Sequence, residues 1–202
     1  SRGLGDVYKR QERGHVDALK NLSQNVPNFY VPDYGSRMTS SIYVRGLGAR
    51  IDQPVIGLNI DNVPVLNKDN FDTELADAER IEVLRGPQST LYGRNTMGGV
   101  VNVYTLSPLT YEGVRLMAEY GSGDSYRFRA SSYYKLAPDL GMAVTGYYTH
   151  TGGFFENQCT GEKCDRERLG GGRWKMQWRS RRGVRIDNTL AFSVLDLSLI
   201  HI

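Results

Sequence analysis

The most constraining feature of this chain is a strict change of side, residue by residue, sustained through its second half. Val114, Leu116, Ala118 and Tyr120 alternate with Arg115, Met117 and Glu119. Tyr126, Phe128, Ala130 and Tyr134 alternate with Arg127, Arg129, Ser131 and Lys135. Leu140, Met142, Val144 and Tyr148 oppose Ala143, Thr145 and Thr149, and Trp174, Met176 and Trp178 oppose Arg173, Lys175, Gln177 and Arg179. Val184, Ile186, Leu190, Phe192 and Val194 oppose Arg185, Asp187, Thr189 and Ser193. A period of two belongs to the β-strand, whose side chains point to opposite faces in turn. These five segments of about ten residues each predict antiparallel strands with one apolar and one polar face.

The connections narrow the choice. GSGDS (Gly121–Ser125), the Ala-Pro-Asp region at Leu136–Asp139 and SRRG (Ser180–Gly183) are tight turns, whereas Thr151–Arg168 is a long polar loop. Outer-membrane barrels have short turns on the periplasmic side and longer loops outside. If the first strand rises outward, Leu136–Asp139 and Ser180–Gly183 are periplasmic and the long loop is external. A soluble β-sandwich also alternates on one face. Tyr120, Tyr126, Tyr134, Tyr148, Trp174 and Trp178 near strand ends suit interface girdles, and arginine on the other face suits a hydrated lumen, so the barrel is favoured. No run of eighteen apolar residues exists, which excludes a transmembrane helix but leaves a barrel open. The 23 glycines and 13 tyrosines agree with a barrel, and a net charge of +3 is too small to indicate a nucleic-acid partner.

The long loop carries CTGEKC. A zinc site would need two further soft ligands beside Cys159 and Cys164, and His15, His150 and His201 are scattered. A local Cys159–Cys164 disulfide is the preferred reading, worth roughly 2 kcal/mol and pointing to a place outside the cytoplasm. Free thiols are the alternative. No metal or other cofactor is expected.

The first half reads as mixed α/β. Val16, Leu19 and Leu22 suit a helix face ended at Asn25, and Asp72 can cap a helical turn running through Ala78. SSIYVRG (Ser40–Gly46), VIGLNID (Val55–Asp61), IEVLRG and GGVVNVY read as strands, with Asp61-Asn62 as a turn pair and Pro87 opening a short helix. The opening SRGLGDVYKRQ and the closing LSLIHI resemble translated sequencing adapters. Residues 1–11 and 197–202 are therefore expected to be scars outside the fold, with residues 12–196 an internal piece of a longer protein.

ERIEVLRGPQSTLYGRNTMGGVVNVYT (Glu79–Thr105) resembles the most recognisable segment of the plug domain of TonB-dependent outer-membrane receptors. SSIYVRGLGAR and VIGLNIDNVPV resemble the two earlier plug segments, in family order and with family-like spacing, so the resemblance spans about Asp17–Leu106. It implies an α/β plug domain over 12–107, followed over 108–196 by the first strands, about five, of an antiparallel transmembrane β-barrel. Gly46, Gly86, Pro87, Tyr92, Gly93, Gly98 and Gly99 would form the turn motif of the plug, glycine serving where crowded or left-handed backbone is required. Arg45 and Arg85 match arginines that fasten the plug to acidic residues of the barrel wall, with Glu82 a third candidate in this latch.

The implied function is energised uptake of a scarce nutrient such as a siderophore, cobalamin or glycan, and no enzymatic activity. The implied partners are an inner-membrane TonB complex pulling a segment N-terminal to the plug, outer-membrane lipid and an unidentified ligand. An extracellular β-sandwich for binding or adhesion is the rival reading. Gly46–Arg50 begins like a dinucleotide fingerprint, but Ile51 occupies its sixth position, and Gly86–Gly93 lacks the ending of a phosphate loop.

Overall fold

The structure, a computed structural model, describes residues 5–9, 23, 26–32, 41–48, 54–66, 77–87, 92, 96–153 and 166–197. The chain forms two compact units, Ser1–Thr105 and Leu106–Ile202.

In the first unit a five-stranded sheet is built from β1 (Gly5–Lys9), β4 (Ile56–Ile60), β5 (Val63–Pro64), β6 (Ala78–Arg85) and β7 (Gly99–Thr105), in the order β1-β6-β7-β4-β5. Between β1 and β4 in sequence, β2 (Phe29–Tyr30) and β3 (Tyr43–Val44) make a separate two-stranded pair. β7 is central, antiparallel to β6 and parallel to β4. A strand covered on both faces reads as a near-continuous apolar run, which is why GVVNVYT does not alternate. Val101 and Val103 join Ile56, Leu58, Ile81 and Val83 in a core completed by Val26, Phe29, Ile42 and Val44.

The turn pair Asp61-Asn62 is as expected: both residues have positive φ (50° and 68°), and Ile60 pairs with Val63 across the hairpin. Positive φ at both central positions is the primed turn whose twist matches that of paired strands.

Elsewhere the boundaries differ from expectation. The strand over Ser40–Gly46 is only Tyr43–Val44, because Arg45 and Gly46 both turn left-handed (φ 53° and 82°) and Leu47 donates back to the Val44 carbonyl. Ala78 opens β6 rather than ending a helical turn, since its backbone pairs with Thr105. Gly5–Lys9, set aside with residues 1–11, is a strand: it pairs antiparallel with Arg80–Leu84 and covers an edge whose N–H and C=O groups would otherwise lack partners. The helix around Val16–Leu22, the body of the Asp72 turn and most of the segment after Pro87 lie outside the described residues, although Tyr92 itself is helical.

The second unit is a meander. β8 (Gly113–Gly121), β9 (Ser125–Ala137), β10 (Leu140–Thr151), β11 (Glu167–Arg179) and β12 (Arg185–Leu197) lie in sequence order, each antiparallel to the next. All five alternating segments are strands, and short turns join β8 to β9, β9 to β10 and β11 to β12; most of the Thr151–Arg168 connection lies outside the described residues. The open sheet does not close into a barrel among the described residues, and no described helix is long and apolar enough to cross a membrane.

Candidate functional site

The glycine-rich motif of the first unit is drawn together at one end of its sheet. Gly86 donates its N–H to the Gly98 carbonyl (3.1 Å), and Gly98 donates to Val55 (3.0 Å). The glycines meet two demands. A Cβ on Gly98 would lie 2.6 Å from Ile56 Cδ1, and one on Gly99 (φ 150°) would lie 2.5 Å from the Leu84 carbonyl oxygen. At Gly46 and Gly86 space is open, and positive φ (82° and 105°) is what selects glycine. Pro87 follows Gly86 directly after β6; Gly93 lies outside the described residues.

Both Arg-Gly arginines hold the same turn of the first unit. Arg45 donates its backbone N–H to the Asn28 carbonyl (2.8 Å), and Arg85 Nη1 donates to the neighbouring Pro27 carbonyl (3.2 Å). The turn is itself closed by Phe29 N–H on the Val26 carbonyl (3.2 Å), with Asn28 left-handed (φ 59°). Glu82 joins neither arginine. It pairs with Arg80 (3.1 Å), whose guanidinium lies 4.3 Å over the Tyr104 ring. Burial, reinforced by the negative charge of Glu82, pushes the Tyr104 phenol above its ordinary value of 10.0.

Two polar contacts inside this unit were not anticipated. Asn59 of β4 donates to Asn102 Oδ1 of β7 (2.9 Å), and Asn102 Nδ2 donates to the Tyr92 hydroxyl (3.2 Å). Asn102 is 2% exposed, so an unpaired amide there would be costly. This is how the hydroxyl of Tyr92 is satisfied. The signal was present: Asn59 and Asn102 are polar interruptions in LNI and VVNVY, where nothing else breaks the apolar run. At the opposite end Asp61 accepts from the Thr105 backbone N–H (2.8 Å) and hydroxyl (2.5 Å), tying the hairpin to the last residue of β7.

The second unit inverts the arrangement of a soluble sheet. Its apolar positions are the exposed ones: Leu116 is 78%, Tyr120 81% and Phe192 71% exposed. The alternate polar positions on β9 to β11 are buried, including Arg129, Ser131, Thr145, Lys175 (3%) and Gln177 (1%). Aromatic residues gather towards both ends of the exposed face. Tyr126 stacks on Tyr148 (6.0 Å), with Phe128 at 5.8 Å and His150 at 4.7 Å, and His150 Nε2 lies 3.9 Å from Asp124 in the adjacent turn. Towards the other end, Trp178 Nε1 donates to Asp139 of the β9–β10 turn (3.2 Å). On the polar face Glu119 and Arg127, directly opposite in register, pair at 3.0 Å. Cys159 and Cys164 lie outside the described residues. No group of three potential metal ligands occurs among the described residues.

A mixed-sheet unit followed in the chain by a meander with exposed apolar and buried polar positions defines a class, and comparison with known proteins agrees. The family model described as "TonB-dependent Receptor Plug Domain" matches residues 7–100, beginning inside the segment that the sequence reading set aside. The pesticin receptors of Yersinia enterocolitica and Yersinia pestis are 33% identical over 114 residues, which is 55% of this chain and 17% of each receptor. The ferric yersiniabactin uptake receptor FyuA from Yersinia pestis superposes with a TM-score of 0.82 at 26% identity, over 95% of this chain and 32% of that one. The pyoverdine outer membrane receptor FpvA from Pseudomonas aeruginosa PAO1 (TM-score 0.72, 15% identity, 93% of this chain, 27% of that one) shares the fold. So does the ferric citrate transporter FecA (TM-score 0.76, 16% identity, 98% of this chain, 32% of that one). Residues 7–100 are thus a plug domain of the TonB-dependent receptor kind, and the antiparallel strands that follow make the chain similar to a fragment of such an outer-membrane receptor.

Proposed function

We propose that this chain serves a receptor that takes up a ferric siderophore across the outer membrane, using work relayed from the inner membrane by a TonB complex. The observation that carries the reading is the inverted wall: apolar residues are exposed and Lys175 and Gln177 buried. Apolar exposure over so large a contiguous face is stable against lipid and unstable against water. The rival β-sandwich requires the reverse, with apolar faces packed together. Ferric yersiniabactin and ferric citrate, named for FyuA and FecA, favour an iron chelate over cobalamin or a glycan.

In this reading β8 rises outward, the β9–β10 and β11–β12 turns are periplasmic, and the Cys159–Cys164 loop is external and closed by a disulfide. Arg85 fastens the plug turn at Pro27, and Arg45, exposed at its own turn, meets a carboxylate of the barrel wall. Glu82 stays with Arg80 and Tyr104 inside the plug.

The test is uptake of radio-iron-loaded yersiniabactin by cells lacking other siderophore receptors and expressing a full-length receptor that carries this chain. Uptake that disappears without TonB supports the reading. Uptake that is indifferent to TonB, or no uptake in a correctly inserted receptor, would sink it.

A further inference from the structure

Between the last residue of β7 and the first of β8, Leu106–Glu112 lies against the polar face of the wall and touches four of its strands. The Ser107 hydroxyl donates to Gln177 Oε1 of β11 (2.5 Å), a side chain only 1% exposed. The Pro108 carbonyl passes so near β10 that a Cβ on Gly141 would come within 2.6 Å of its oxygen and 3.0 Å of the Leu109 nitrogen. Tyr111 packs edge-on against Tyr133 of β9 (5.2 Å, 86°), and Arg115 of β8 lies 4.8 Å over the Tyr111 ring. Leu106 clusters with Tyr133 and Ala143.

The segment is also closed on itself. Thr110 and Tyr111 donate their N–H groups to the Ser107 carbonyl (3.1 and 3.0 Å), and the Leu109 N–H reaches the Ser107 hydroxyl (3.3 Å). It therefore sits as a preformed turn, and lifting it would strand the buried Gln177 amide and uncover Tyr133.

We propose that Leu106–Glu112 is a fixed strap that anchors the C-terminal end of the plug to the wall throughout transport, so that the rearranging part of the plug lies N-terminal to it. This rests on the uptake reading above. The physical consequence concerns slack. Ser107–Glu112 fully extended would add roughly 20 Å of tether, enough to let the plug leave its position bodily. Seated, the strap withholds that length, and a pull on the N-terminal side reaches the wall at Ser107.

The test uses a full-length receptor carrying this chain, with C159S and C164S to remove competing thiols. The S107C/Q177C pair is joined by a short thiol cross-linker in intact cells, and radio-iron-loaded yersiniabactin uptake is compared before and after joining. The expected result is efficient cross-linking with no loss of initial uptake rate, together with poor cross-linking once G141V is added to push out Pro108. Uptake that is present before cross-linking and lost after it overturns the strap alone. Absence of uptake before cross-linking overturns the transport reading and the strap with it. Failure of the pair to cross-link in the resting receptor shows that the strap is not seated, and overturns the proposal whatever uptake does.

Discussion

Gly46 and Gly99 look alike in sequence and are used for different reasons. At Gly46 only the sign of φ matters, whereas at Gly99 a side chain would collide with the Leu84 carbonyl of the paired strand. Gly46→Ala should cost about 1 kcal/mol, and Gly99→Ala about 2 kcal/mol or more, because neither backbone can yield without breaking the β6–β7 ladder. Urea unfolding of the plug orders the two, and equal costs would contradict this account. Asp61 accepts both polar hydrogens of the buried Thr105, so Asp61→Ala removes the acceptor of its amide. Hydrogen exchange at the Thr105 amide should accelerate by roughly tenfold to a hundredfold, the equivalent of about 1–3 kcal/mol. Tyr104 gives a pH signature. Its phenol is held neutral by burial and by Glu82, so the folded pKa lies above 10.0. The unfolded chain therefore releases that proton first as pH rises. Stability from this residue is fully present below the unfolded value and declines as pH climbs through the folded one. Tyr104→Phe should flatten the decline between about pH 9 and 12, read as the urea midpoint against pH; an unchanged slope would contradict the assignment.

The strands show which periodicities can be read. Alternation located all five wall strands, and on β9 to β11 it separated the more exposed apolar positions from the buried polar ones, because a period of two admits one arrangement of sides. The consequence is testable on neighbours. Leu190 and Thr189 are adjacent on β12 and point to opposite faces. Leu190→Arg should cost about 2–4 kcal/mol of folding into lipid vesicles if it lies near mid-membrane, and Thr189→Arg no more than about 1 kcal/mol. Equal penalties would mean that the exposed face does not meet lipid. The plug strands were harder. Tyr43–Val44 is shorter than its β-branched sequence suggests because a left-handed pair ends it, and Ala78 is recruited by Thr105, a partner far away in sequence.

At the scale of the whole molecule, the proposed membrane wall makes a prediction about the depth of its aromatic residues. Trp178 is tied to the turn residue Asp139, and Trp174 lies farther along the same strand, roughly 13 Å away at the rise of an extended chain. In vesicles with bromine at defined depths, the fluorescence difference between the wild type and Trp178→Phe should report shallow quenching. The corresponding difference for Trp174→Phe should report deeper quenching. The reverse order would place the membrane elsewhere on the wall.

Some properties followed from the sequence alone: the wall strands with their two faces, the Asp61-Asn62 turn, and the plug motif around Gly86, Gly98 and Gly99. Each depends on neighbours a few residues apart, where backbone sterics and side-chain direction leave few choices. Tertiary structure alone decided that both Arg-Gly arginines grip one turn at Pro27 and Asn28, that Glu82 answers Arg80 and Tyr104, and that Asn102 completes Tyr92. It also decided that a turn at Ser107 rests on Gly141 and Gln177. A hydrogen bond or a close contact between distant residues is selected by which strands the sheet makes neighbours, and that order is a property of the assembled fold rather than of any local run of residues.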